Sequence, residues 1–200
     1  MTRCGWGLLA AVFVAACGSE GGSPSVRLEV EAAPAVTLPV EVEETLAPLT
    51  ADAEAKIAAI REVLARDSLN RLVRLANAEP NFVSNFAGES HKVHWDLLRR
   101  TGFDPLAKLG GLLDGPYGTR TVGVQTWYVW PDLAALDPEE LLPERLDFTD
   151  RARLRDLVGE VGLERIREGQ GYPGVRTAIA ADGRWLYFVH ETEDETGEDE

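Results

Sequence analysis

The chain of 200 residues has only two cysteines, Cys4 and Cys17, so nothing after position 17 carries a thiol. A disulfide, a thiolate zinc site and a cysteine nucleophile are thereby excluded from the rest of the chain. Histidine is nearly as scarce, with His91, His94 and His190 alone. Serine is thin across the central region, where Ser68, Ser84 and Ser90 all fall at expected helix starts or in loops. Gly-x-Ser-x-Gly and a glycine-rich phosphate loop are both missing. Basic charge is also short. The formal net charge is -14, which disfavours nucleic acid and anionic headgroups as partners, and no basic stripe interleaved with aromatics appears.

That charge is unevenly spread. Residues 191–200 hold seven acids and no base, residues 18–49 hold six acids and one base, and residues 50–190 hold 21 acids against 18 bases. The body is nearly balanced and its ends are acidic, a pattern of solvated, mutually repelling segments.

No apolar run approaches the roughly 20 residues that a spanning helix needs. The run that does occur, from Trp6 to Ala16 behind Arg3, reads as an export signal over residues 1–16. Leu8-Leu9-Ala10-Ala11-Val12-Phe13-Val14-Ala15-Ala16-Cys17 resembles the signal peptide and lipobox of bacterial lipoproteins. The resemblance implies that Cys17 becomes the lipidated N-terminus, with several acyl chains making a durable anchor. It also implies a periplasm-facing protein, with Ser19, where aspartate would favour the inner membrane, leaning towards the outer membrane. An ordinary signal cut near Ala16 with Cys17 left free is the alternative.

Residues 17–49 read as a lipidated start and flexible stalk. Gly18 to Ser25 is a glycine- and serine-rich tether, and Val26 to Leu49 is punctuated by Pro34, Pro39 and Pro48. Val26, Leu28 and Val30 alternate enough to leave an edge strand open as an alternative. Residues 50–190 are long enough for one domain, and residues 191–200 read as an acidic disordered tail.

Within the domain, Thr50 caps a helix with Ile57, Ile60 and Leu64 inward. A second helix from Asp67 or Ser68 carries Leu69, Leu72, Val73 and Ala76. Ser90 opens a third through Arg100, with Val93, Leu97 and His94 as its inward stripe, and Asp104-Pro105 opens a fourth with Leu106, Leu109 and Leu113 inward. The period then changes to two, and Thr121 to Trp130 reads as one strand ended by Pro131. Thr149 or Asp150 starts another helix with Leu154, Leu157 and Val158 inward, followed by a shorter one from Leu163 to Arg167. Asp182-Gly183 predicts a type I′ hairpin with Ala180 opposite Trp185, Ile179 opposite Leu186 and Ala178 opposite Tyr187. The fold class is therefore α+β, N-terminal helices followed by a small antiparallel sheet ending in a hairpin.

Two echoes stand out. Tyr117-Gly118-Thr119-Arg120-Thr121 followed by Trp127-Tyr128-Val129 loosely repeats Tyr172-Pro173-Gly174-Val175-Arg176-Thr177 followed by Trp185-Leu186-Tyr187, although turn and strand grammar alone can produce this. The ending, Tyr172-x-Gly-x-Arg-x-x-Ile-x-x-Asp-Gly-x-Trp-x-x-Phe188-Val189, also looks like the endings of uncharacterised exported proteobacterial proteins, a likeness that implies no activity.

Glu89, His91, His94 and Asp96 form the one cluster with ligand-like composition. His91 and His94, at i and i+3, could start a zinc or copper site for a metal-dependent enzyme, but such a site needs three or four ligands. The alternative is that His91 caps or is exposed and that His94 packs beside Trp95, with no metal or other cofactor. The aromatics of the strands, Trp127, Trp130, Trp185 and Tyr187, could stack on sugar or peptide if exposed. A sheet covered by helices must also bury aromatics somewhere, and the core is the other place for them. The expectation for function is a non-catalytic envelope lipoprotein that scaffolds or binds an envelope protein or cell-wall partner. A glycan- or peptide-binding module and a metal-dependent enzyme are the alternatives.

Overall fold

The structure is a computed structural model and describes residues 46–190; the signal, most of the expected stalk and the acidic tail lie outside the described residues. Four helices come first: α1 (Ala51–Leu64), α2 (Leu69–Asn77), α3 (His91–Arg100) and α4 (Pro105–Asp114). A hairpin of β1 (Gly118–Val122) and β2 (Gln125–Trp130) follows, then a short 3-10 turn over Asp132–Ala135. Helix α5 (Phe148–Arg167) separates this hairpin from a second one, β3 (Arg176–Ala180) and β4 (Trp185–Val189). The fold is α+β, and all four strands join one antiparallel sheet in the order β1-β2-β3-β4. Among the described residues no helix is long and apolar enough to cross a membrane.

The helix starts follow from their caps. The Thr50 hydroxyl accepts from the Ala53 amide and donates to the Ala181 carbonyl at 2.6 Å, tying the start of α1 to the second hairpin. Ser90 accepts from the Val93 amide, and Asp104 accepts from Leu106 with Pro105 behind it. Helix α5 starts earlier than expected because Asp147 accepts from the Asp150 amide, and it breaks at Gly159, whose φ of 68° no helix residue adopts. Leu157, expected inward, is exposed.

Helix α3 is rotated relative to expectation. Val93 and Leu97 are 56% and 48% exposed, while His94, Trp95 and Leu98 are buried. With His91 these residues sit at the i, i+3, i+4, i+7 positions of one stripe, and Trp95 with Leu98 buries more apolar surface than Val93 with Leu97.

The expected single strand from Thr121 is in fact a hairpin. Val122 pairs with Gln125 across Gly123-Val124, and Gly123 has the positive φ that the first central residue of a type II′ turn demands. The second hairpin is not type I′ either, since Asp182 is not left-handed. The Gly183 amide closes onto the Ala180 carbonyl at 2.9 Å, and the Ala180 amide onto Arg184, giving a turn followed by a left-handed glycine bulge. Trp185 consequently faces Ile179 rather than Ala180, and Leu186 is the extra residue, while Ala178 faces Tyr187 as expected. The amide freed at Phe188 and the carbonyl at Leu186 are taken by Val83, which adds a one-residue parallel bridge at the β4 edge.

Two cores flank the sheet. Tyr128, Trp130, Ile179, Trp185 and Phe188 pack with α1–α4 on one side. Val129 and Ala178 pack on the other with Leu141, Leu154, Leu163, Ile166 and Tyr172. The last residues of the expected stalk also touch the body: the Pro48 carbonyl accepts from the Tyr128 hydroxyl at 2.8 Å, and the Ala47 carbonyl accepts from Tyr117.

Candidate functional site

Trp127, Trp130, Trp185 and Tyr187 are binding candidates if exposed and core residues if not, and the sheet divides them. Trp130 and Trp185 are 2% and 0% exposed and belong to the core under α1–α4, so for these two the core alternative holds and a binding role at the surface does not. The cause is strand alternation, which sends Trp130 with Tyr128 towards the helices, together with the bulge that seats Trp185 opposite Ile179. Trp127 and Tyr187 point to the opposite side, are partly buried, and meet edge to face at 6.4 Å between ring centroids.

Register places Arg120 opposite Trp127, Ala178 opposite Tyr187 and Arg176 opposite Val189, so all these positions share that second side of the sheet. Where α5 and the 3-10 turn do not cover it, Arg120, Trp127, Arg176, Tyr187 and Val189 line a groove of about 280 Å³. Val83 and the 60% exposed Phe86 form its rim. Arg176 is held from behind, its guanidinium donating to the carbonyls of Tyr172 and Gly174. Arg120 is paired with Asp137 at 3.0 Å in an exposed ion pair, of the kind worth little in water.

Electrostatics ties the groove together. Burial pushes the Tyr187 phenol above its ordinary value, and the charges of Arg176 and Arg120 pull it back down, so both guanidinium groups are felt at one hydroxyl. The Trp127 indole Nε1 is buried with no hydrogen-bond partner. A buried donor left unpaired costs about 1–3 kcal/mol. The sequence reading found Trp127 and Tyr187 but missed the two arginines. The signal was present in the echo between the hairpins, because Arg120 and Arg176 are its matched basic residues, each followed by threonine.

The histidine cluster has a different character. Ser84 Oγ lies 2.7 Å from His91 Nδ1, and the His91 ring packs edge-on to Phe82 at 5.1 Å. Such a pair has the outline of a nucleophile and base, but Ser84 is 1% exposed and also accepts from Asn85, so no substrate carbonyl reaches it. It staples the loop that precedes α3. His94 is buried with Nε2 unpartnered, and burial lowers the pKa of both His91 and His94. His190 stacks on Phe103 at 4.4 Å. Asp96 pairs with Lys92 on the outer side of α3, and the Glu89 amide binds the Asn85 side chain. Among the described residues no three or more His, Cys, Asp or Glu side chains converge.

A larger cleft of about 690 Å³ lies between α4 and α5, lined in part by Lys108, Leu112, Arg153, Leu157 and Tyr172. Its arginine and its tyrosine are already committed. Arg153 is held by Asp132 at 2.6 Å and Asp150 at 2.7 Å, and burial raises the Tyr172 phenol far above the range in which it ionises.

No protein-family model matches this chain, and no curated protein or solved structure is significantly similar to it.

Proposed function

We propose that this chain is a non-catalytic, lipid-anchored protein of the cell envelope, held at the membrane through Cys17, that binds a partner in the Trp127–Tyr187 groove. The partner contributes an extended peptide segment rich in carboxylates. The observation that supports this is the conjunction of two aromatic rings and two arginines lining one open groove on the second side of the sheet. A guanidinium fork matches a carboxylate, and flat rings supply contact area at low entropic cost. No arrangement of nucleophile, base and open pocket accompanies it among the described residues.

A photoreactive phenylalanine analogue at Phe86, on the rim, tests the reading in intact cells. The expected result is a discrete intermolecular adduct in the membrane fraction, whose cross-linked peptide is acidic and which is lost with Trp127→Ala. An adduct that survives Trp127→Ala together with Arg120→Gln, or no adduct at all, overturns it. Cys17→Ser should release the protein from the membrane fraction and abolish labelling by a fatty-acid analogue; unchanged partitioning and labelling refutes the anchor.

A further inference from the structure

We infer that the acidic segment following His190 is the groove's own occupant, its carboxylates engaging Arg176 and Arg120 and thereby competing with the partner. The inference rests on the reading of the groove as the partner site, and it adds a means of regulation.

Position supports it first. Val189 lines the groove opposite Arg176, and only His190 separates it from the acidic segment. Along β4, Tyr187 and Val189 face the groove while Phe188 faces the other core. Glu191, the first carboxylate of that segment, is two residues from Val189 in sequence.

Charge supports it next. Among the described residues, Arg120 and Arg176 are the only charged side chains lining the groove, whereas residues 191–200 hold seven carboxylates and no cation. Arg120 lies two strands from Arg176 and is level with Ala180, four residues further along β3, so the two positions are roughly 16 Å apart at the usual strand spacing and rise. About five further residues at about 3.3 Å each cover that distance. Because the segment is covalently attached, its effective concentration is in the millimolar range, and weak individual contacts suffice to keep an untethered competitor out. Binding of this kind is screened by salt, since the Debye length falls from about 10 Å at 0.1 M to about 3 Å at 1 M.

Two full-length chains test the inference, the wild type and one with all seven carboxylates of residues 191–200 converted to their amides. A fluorescent hexaglutamate peptide is the probe and hexaglutamine the control, both followed by anisotropy at low salt. The neutralised chain is expected to bind hexaglutamate at least tenfold more tightly than the wild type, with hexaglutamine bound by neither. Independently of any added ligand, the Trp127 indole resonance, assigned with Trp127→Phe, should differ between the two chains at low salt and coincide at 0.5 M salt. Equal hexaglutamate affinities with coincident indole signals overturn the tail's occupancy and leave the groove standing as the partner site. An indole difference with no hexaglutamate binding by either chain supports the tail and overturns the acidic-partner reading. Coincident signals with no binding overturn both.

Discussion

Tyr128 and Trp185 point from the sheet towards α1–α4, while Trp127 and Tyr187 point towards α5 and the groove, so the two sides present the same residue types. They differ in how the polar ends are satisfied. On the first side the Tyr128 hydroxyl donates to the Pro48 carbonyl, and the Trp185 indole donates to Thr177 Oγ1 at 2.8 Å, which in turn donates to the Tyr187 carbonyl at 2.7 Å. The Trp185 amide is held by Glu79, itself paired with Lys56. On the second side the Trp127 indole has no partner, and two cations flank the rings. The tied-off ends of Tyr128 and Trp185 mark a side built for stability; the orphaned donor beside the arginines marks where specificity has been placed at some cost in stability.

The largest effect that sharpens this contrast should come from truncating the buried ring. Trp185→Ala removes a fully buried side chain and should lower stability by about 3–5 kcal/mol. Trp127→Ala, at the partly covered groove, should cost well under half of that while abolishing capture from Phe86. Chemical denaturation of both variants checks the ranking, and similar losses would erase the distinction between the two sides.

The turns extend the comparison. Gly183, with φ of +82°, sits where an added Cβ would come within 2.9 Å of the Asp52 carbonyl in α1, whereas Gly123, with φ of +64°, has nothing within 4 Å. Gly123→Val carries only the backbone penalty of about 1–2 kcal/mol. Gly183→Val adds the collision and should cost about 1 kcal/mol more, because the helix must move. Melting curves decide it, and equal shifts would mean that α1 does not press on the hairpin.

How much of this was legible in sequence depended on whether a residue's neighbours along the chain or across the fold decided its place. Caps at Thr50, Ser90 and Asp104 and the inward leucines of α4 are local, and they were readable. The rotation of α3 was not, because Val93 with Leu97 and Trp95 with Leu98 are both acceptable helical stripes, and only the space between the sheet and α2 selects the one with tryptophan. The hairpin at Gly123-Val124 was hidden because valine in a turn carries no turn signal, and the bulge before Trp185 because Asp-Gly serves two turn forms that differ by one position in register. The groove was half visible. Its aromatics stood out, but two arginines lying 56 positions apart come together only through sheet order.

A smaller effect belongs to the closed side and to pH. His91 and His94 both have folded pKa values below the ordinary 6.5, with burial as the cause. A base whose pKa is depressed on folding binds fewer protons folded than unfolded. Its contribution to stability is therefore complete above pH 6.5 and is lost as the pH falls through 6.5 towards the folded value. Each proton so linked contributes a slope of at most about 1.4 kcal/mol per pH unit. Melting temperature should fall between pH 7.5 and 5.5, less steeply in His94→Leu, and a flat profile in the wild type would contradict the burial of both rings.

The finest comparison exchanges only the polar handle. Trp127→Phe and Trp185→Phe each remove an indole N–H and shrink the ring by the same amount, so their hydrophobic losses differ mainly through the greater burial of Trp185. At position 185 the change also breaks the bond to Thr177 and leaves that buried hydroxyl without its donor, whereas at position 127 it removes a donor that had no partner. The hydrogen-bond difference should therefore be about 1–2 kcal/mol in favour of Trp127→Phe. Thr177→Val separates it from packing. In that background the Trp185 indole already lacks its acceptor, so Trp185→Phe should cost about 1 kcal/mol less than in the wild type, while the cost of Trp127→Phe stays the same. If both changes cost the same in the two backgrounds, the Trp185–Thr177 bond contributes nothing, and the asymmetry between the two sides of the sheet reduces to burial alone.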